Sequence, residues 1–105
     1  MAPIQTQQKD NIHIIKLPET VDNVTAKQLE IQFQGWANLP SQIHLLDCSD
    51  VQNIDTAFYR PLSLFQKALK DAGKQLTSAK LNPKILKQVT ADGMVSVFNP
   101  IKPKT

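Results

Sequence analysis

Residues 43–57 read Ile43-His44-Leu45-Leu46-Asp47-Cys48-Ser49-Asp50-Val51-Gln52-Asn53-Ile54-Asp55-Thr56-Ala57. The first five form a short apolar run bounded by turns, the pattern of a strand covered on both faces of a parallel sheet. Cys48 to Ile54 is then a loop, and a helix begins around Asp55 and Thr56. Both residue types are natural N-caps, because their side-chain oxygens accept the free amide hydrogens of a first helical turn. Downstream, Phe58, Leu62, Phe65, Leu69 and Ala72 recur at the spacing of one helical face. Gly73 is a natural C-terminal stop. Pro61 sits near the start of this helix, where it predicts a distorted or late-starting first turn.

The segments on either side complete an alternating pattern. Gln5 to Gln8 and Ile12 to Leu17 flank the polar Lys9-Asp10-Asn11, which reads as a hairpin turn. Thr25 with Gln28 three residues on resembles a capping box. Ala26, Leu29, Phe33, Trp36 and Ala37 form the buried stripe of the helix that follows, with Ile31 off that stripe. Asn38 to Ser41 is a turn. Lys74 to Ser78 is the next expected strand. Asn82-Pro83 is an N-cap with proline at the first helical position, Ile85, Leu86 and Val89 give that helix its apolar side, and Gly93 lies past its end. Met94 to Phe98 reads as a last strand.

The expected order is β-β-α-β-α-β-α-β. Strands alternating with helices define the α/β class, here a mixed but mostly parallel sheet of four or five strands. The N-terminal hairpin adds an antiparallel edge, and about three helices cross over with right-handed connections. One domain over residues 1–105 is expected, with loose ends at about 1–3 and 100–105.

Composition narrows the function. Hydrophobic residues make up 41% and charged residues 20%, as in globular domains. The apolar runs are too short to cross a bilayer, and Met1 to Asp10 has neither a basic n-region nor an apolar h-region. Membrane insertion and export are therefore not expected, and a cytoplasmic protein is. The formal net charge is +3. Lys80, Lys84 and Lys87, with Lys102 and Lys104 beyond, read as a solvated face plus a basic tail. A weak attraction to acidic partners or membrane surface is the alternative. A nucleic-acid partner is not expected, because the dense basic stripe and interleaved aromatics it would need are missing.

Cys48 is the single cysteine, so no internal disulfide forms; it reads as a buried small hydrophobe. His13 and His44 lie in expected strands and read as half-buried structural residues.

A parallel sheet works at the carboxyl ends of its strands, which directs attention to Ser49, Asp50 and the segment Asp55-Thr56-Ala57-Phe58-Tyr59-Arg60. In one reading Asp55 and Thr56 are helix caps and nothing more. In the other, Thr56 is a regulatory phosphoacceptor at a helix start, where the dipole and unpaired amides tolerate added negative charge. Asp47, Asp50 and Asp55 are also candidate divalent-metal ligands, although Asp47 and Asp50 suit turn and capping roles. The three glycines, Gly35, Gly73 and Gly93, make no phosphate loop. No cofactor, no resident metal and no enzymatic activity are expected.

Leu45-Leu46-Asp47-Cys48-Ser49 followed by Ile54-Asp55-Thr56-Ala57 resembles the STAS family, shared by sulphate transporters and anti-sigma factor antagonists. That family's pattern is a strand, Asp-x-Ser, a short spacer, then hydrophobic-Asp-Ser/Thr-Ser/Ala-Gly. The resemblance runs from about Asn11 to Phe98, and Asp71-Ala72-Gly73-Lys74 is similar to the family's passage from helix to next strand. It implies a bacterial, non-enzymatic signalling regulator that binds a protein partner by partner switching, through Asp55 to Arg60 with Ser49 and Asp50 alongside. The family's phosphoserine position is here Ala57, which leaves Thr56 as the hydroxyl of the motif. Phe58 stands where the family usually has glycine, and either joins the core stripe or crowds the recognition surface. Asp-Thr-Ala also resembles the branch found with chemotaxis and lipid-transport machinery. The partner implied is therefore an anti-sigma factor or kinase, or alternatively the ATPase of an ABC phospholipid transporter. A small metal-dependent phosphotransfer enzyme is a third reading.

Overall fold

The structure, a computed structural model, describes residues 4–100. The expected loose ends at 1–3 and 101–105, with Lys102 and Lys104, lie outside that range. Strands β1 (Gln5–Lys9) and β2 (Ile12–Lys16) form the expected antiparallel hairpin, closed by Asp10 and Asn11 with Asp10 at φ 54°. Lys9 belongs to the strand rather than to the turn. The chain then makes a two-residue strand β3 (Thr20–Val21), helix α1 (Asn23–Trp36), strand β4 (Ile43–Asp47), a second two-residue strand β5 (Asn53–Ile54) and a 3-10 turn over Thr56–Phe58. Helix α2 (Tyr59–Asp71), strand β6 (Gln75–Ala79), helix α3 (Pro83–Ala91) and the single turn α4 (Val95–Phe98) complete it.

The main sheet has the order β1-β2-β4-β6, with β1 antiparallel and the other three strands mutually parallel. Because β2, β4 and β6 advance in one direction across the sheet, two right-handed crossovers put α1 and α2 on the same face. Ile15, Leu46 and Leu76 point into that helix-covered face and are buried, as are Leu29, Phe33, Phe58, Leu62, Phe65 and Leu69 from the helical side. Phe33 and Phe65 stack with ring centroids 4.2 Å apart and planes 2° from parallel, and so join α1 to α2. The opposite face carries Ile12, Ile14, Lys16, Ile43, Leu45 and Asp47, all half-buried. The expectation that β4 is covered on both faces is therefore corrected: no described helix lies over the second face.

One helix boundary also differs from expectation. Helix α1 starts earlier than the Thr25–Gln28 pair implies. Its N-cap is Asp22, whose carboxylate accepts from the Thr25 amide at 2.8 Å, while Thr25 itself is buried. Proline at position 61 is accommodated as anticipated, because the 3-10 turn precedes α2 and leaves Pro61 in the first α-helical turn, where no intrahelical donor is required.

Met94 to Phe98 is not a strand. Gly93 takes φ 72°, and the Met94 amide returns to the Val89 carbonyl, which closes α3. One further helical turn then carries Phe98 into the core against Phe58 and Tyr59. The edge of β6 is satisfied without a full ladder: Ser78 Oγ donates to the Phe98 carbonyl, Thr77 Oγ1 to the Asn99 carbonyl, and Asn99 Nδ2 to the Leu76 carbonyl. Among the described residues the segment after α4 forms one parallel bridge with β6, Ser78 with Pro100, so Pro100 is engaged rather than loose. Leu86 and Ala72, placed on apolar helix faces by their spacing, are exposed.

Candidate functional site

The segment after β4 is a chain of local bonds. The Asp47 carboxylate accepts from the Ser49 amide at 3.0 Å and folds the turn over Cys48 to Asp50. Partial burial opposes that carboxylate's charge, but the bonds from Ser49 and the charges of Lys80 and Lys16 outweigh it and hold its pKa below the usual value. Asp50 reaches Lys16 at 3.4 Å, an exposed pair worth little to stability. The loop then pairs β5 with β3, Thr20 opposite Asn53 and Val21 opposite Ile54. From the other side, Asn82 Nδ2 donates to the Val51 carbonyl at 2.7 Å and Gln88 Nε2 to the Ile54 carbonyl at 2.8 Å. The approach to Asp55 is thus clamped between β3 and α3.

Asp55 is the cap of the 3-10 turn. Its backbone is extended (φ −80°, ψ 144°), and its carboxylate accepts from the Ala57 amide at 2.8 Å. The Asp55 amide donates to the Val21 carbonyl and the Phe58 amide to the Asp55 carbonyl, so the turn is anchored at both ends. Thr56, Ala57 and Arg60 are exposed. The Thr56 hydroxyl makes no hydrogen bond to another described residue. Phe58 is fully buried against Phe33 and Phe98. It is the anchor under the turn and no part of the exposed surface, a correction to its place among the partner-contacting residues. Tyr59 is half-buried, and its hydroxyl donates to Asp92 at 2.6 Å. Burial first, and then the bond to Asp92, push that hydroxyl's pKa up to about 12.

The structure therefore brings Asp55, Thr56, Ala57 and Arg60 together on one rigid exposed turn. Ser49 and Asp50 occupy the separate corner beside Lys16. The three carboxylates once grouped as metal ligands do not converge: Asp47, Asp50 and Asp55 each hold a different local partner. No group of three or more His, Cys, Asp or Glu among the described residues is placed to hold an ion.

Sequence patterns missed one feature next to the turn. Between α1 and α2 runs an open, mainly apolar groove of about 340 Å³, lined by Phe33, Ala37, Pro61, Leu64, Phe65 and Ala68 with Glu30 at its rim. Pro61, at the end of the groove, follows directly on Arg60 in the chain. Leu64, an apolar residue off the α2 core stripe and half exposed, was the available signal.

A hairpin-edged parallel sheet, helices crossing on one face, and an exposed Asp-Thr-Ala turn opening the second helix together define the STAS class of domain. The family model described as "Mlab, STAS domain" matches residues 4–96, and the chain belongs to that family. Solved structures share the fold. An anti-sigma-factor antagonist (STAS) domain protein from Planctomyces limnophilus superposes with a TM-score of 0.82 at 16% identity, over 99% of this chain and 92% of that one. The anti-sigma factor antagonist SpoIIAA in its unphosphorylated form gives 0.80 at 10% identity, over 95% of this chain and 89% of that one. The murine solute carrier 26 anion transporter gives 0.68 at 13% identity, with 93% of this chain matching 17% of that protein. A search of the curated proteins finds no match to this chain.

Proposed function

We propose that residues 1–105 work as one cytoplasmic, non-enzymatic STAS domain that regulates a protein partner by docking the exposed turn at Asp55, Thr56, Ala57 and Arg60. The observation that carries this reading is the division of labour within four residues. Asp55 is committed to capping and Phe58 to the core, which leaves the Thr56 hydroxyl and the Ala57 methyl outward on a backbone fixed at both ends. A surface held that firmly loses little entropy on binding. The adjoining groove offers apolar area to the same partner.

Of the two partner classes, an ABC transporter ATPase is favoured over an anti-sigma factor. Ala57 has no hydroxyl at the position where partner switching places its phosphate, and the matching family model is of the Mlab kind. Partner switching through Thr56 itself is the second reading. Thr56 opens a helical run from Thr56 to Asp71, and the dipole at its start tolerates a phosphate.

The test uses wild type as bait and two variants against the partner it recovers. Thr56→Glu leaves the fold within about 1 kcal/mol of wild type, because the helix start offsets the new charge. Against a desolvated partner surface the same charge costs about 2–5 kcal/mol, a loss of roughly thirty-fold or more in affinity. Thr56→Ala separates the readings: binding weakens if the hydroxyl is a contact and persists if Thr56 is only a phosphoacceptor. Unchanged recovery by both variants would make Thr56 a helix residue only and move the site elsewhere.

A further inference from the structure

His13 and His44 are the chain's only histidines, and they stand opposite one another in the register of β2 and β4. Both are essentially sealed from solvent, at 1% and 0% exposure. Their Nδ1 atoms are 3.0 Å apart, the distance of a hydrogen bond in which one ring donates and the other accepts. Trp36, in the last turn of α1, packs edge-on to His13 with centroids 5.2 Å apart, and Phe65 of α2 packs edge-on to His44 at 5.5 Å. The Nε2 atom of His44 is buried without a hydrogen-bond partner. At the corner between α2 and β6, the Lys74 ammonium donates to the carbonyls of Ala37 and Leu39, just past the end of α1. The charges acting on His44 are those of His13 and Lys74, both against its protonation; the Ser41 backbone favours the proton less strongly than these oppose it, and no carboxylate contributes. From β1, the residue opposite His13 is the uncharged Gln8.

We propose that His13, His44 and Lys74 form an acid-sensitive latch that releases the last turn of α1 and the Ala37–Leu39 turn from the sheet.

The proton count makes the latch two-step. The neutral pair holds one proton per ring, one of them between the two Nδ1 atoms. The first added proton goes to the bare Nε2 of the donor ring and places a cation in an apolar pocket beside Lys74. The second has only the accepting Nδ1 left, so it breaks the inter-ring bond and leaves two imidazolium rings in contact, their centroids 5.1 Å apart. Neither state has a buried anion to balance it, and burying unpaired charge is costly. The cheapest relief is local. Trp36 and the Ala37–Leu39 turn close the pocket at the end of a helix, and opening a helix terminus requires less than opening the core. Burial first, and then the charges of His13 and Lys74, hold the His44 pKa down at about 4 from 6.5. A shift of that size means protons favour the open form by roughly 300-fold once pH falls below the lower value.

The experiment uses the intact chain. Trp36 is the only tryptophan, so its emission and the ring resonances of the two histidines report on the cluster without labels. On lowering pH from 7.5 to 3, the two histidines should titrate in separate steps with midpoints below 6.5. Trp36 emission should change with those steps, and amide exchange at Ala37 to Leu39 should rise at least about ten-fold while the far-ultraviolet helix signal persists. In His44→Leu the Trp36 step should vanish. Coincident titration of both histidines near 6.5 overturns the proposal. So does a Trp36 signal that stays flat through the histidine steps, one that changes only as the whole helix signal collapses, or one that survives unaltered in His44→Leu. If that variant does not fold, the wild-type titration alone decides.

Discussion

Phe58 and Thr56 are two residues apart and do opposite work. In a 3-10 turn, residues two apart leave the axis in different directions, so one side chain enters the core while the other stays in water. Truncating Phe58 to alanine empties a site shared with Phe33 and Phe98, and Phe58→Ala should cost about 3–5 kcal/mol in urea melts. Asp55→Ala removes the acceptor for the Ala57 amide and should cost about 1 kcal/mol as a lost cap. If Asp55→Ala proved as damaging as Phe58→Ala, Asp55 would be holding more than the turn. The adjacent Tyr59 hydroxyl, bonded to Asp92 at 2.6 Å, ties α2 to the far end of α3. Tyr59→Phe should lower stability by about 0.5–1.5 kcal/mol, the net worth of one hydrogen bond.

At the scale of elements, α2 is the clearest amphipathic piece, with Leu62, Phe65 and Leu69 buried on one side. Leu69→Ala should cost about 2–5 kcal/mol, whereas Ser63→Ala, off that stripe, should stay within about 0.5 kcal/mol. Equal losses would mean the helix is rotated from the phase described. The C-terminal corner depends on a single residue more than any helix does. Asn99 sits in left-handed backbone at φ 45°, where asparagine is tolerated, while its side chain donates to Leu76 and its carbonyl accepts from Thr77 and Ser78. Asn99→Ala keeps the carbonyl but strains the backbone and orphans the Leu76 bond. A loss of about 1–3 kcal/mol is expected in urea melts. Asn99→Gly should recover part of it, because glycine relieves the strain.

At the scale of the molecule, the two buried histidines tie stability to pH. Their folded pKa values lie below the ordinary 6.5, with His44 at about 4. Between those values the unfolded chain binds more protons than the folded one, so stability rises with pH through that window. It is flat above about 7, and below about 4 the loss from His44 is complete. That loss is about 3 kcal/mol at 1.36 kcal/mol per pKa unit. Urea midpoints should therefore climb from pH 5 to pH 7 and level off by pH 8. A chain carrying His13→Gln with His44→Gln should lose that slope whatever its baseline stability.

Much of this protein was legible residue by residue. The α/β class, the edge hairpin, the buried stripes of α1 and α2 and the proline-opened α3 follow from periodicity and capping chemistry, which act over a few neighbours. The Asp55–Thr56 turn was legible for the same reason, since a cap is a local bond. What tertiary structure alone decided are matters of who lies opposite whom. Met94 to Phe98 alternates like a strand, but Phe98 gains more by entering the core beside Phe58 than β6 gains from another ladder. The strands β3 and β5 are two residues long, too short for any pattern, and exist because they pair with each other. The uncovered sheet face follows from the direction in which successive strands are added, which fixes both crossovers on one side. His13 and His44 are 31 residues apart and each reads as an ordinary strand residue. They become a coupled pair only because the register of β2 on β4 sets them 3.0 Å from one another in a pocket that water does not reach.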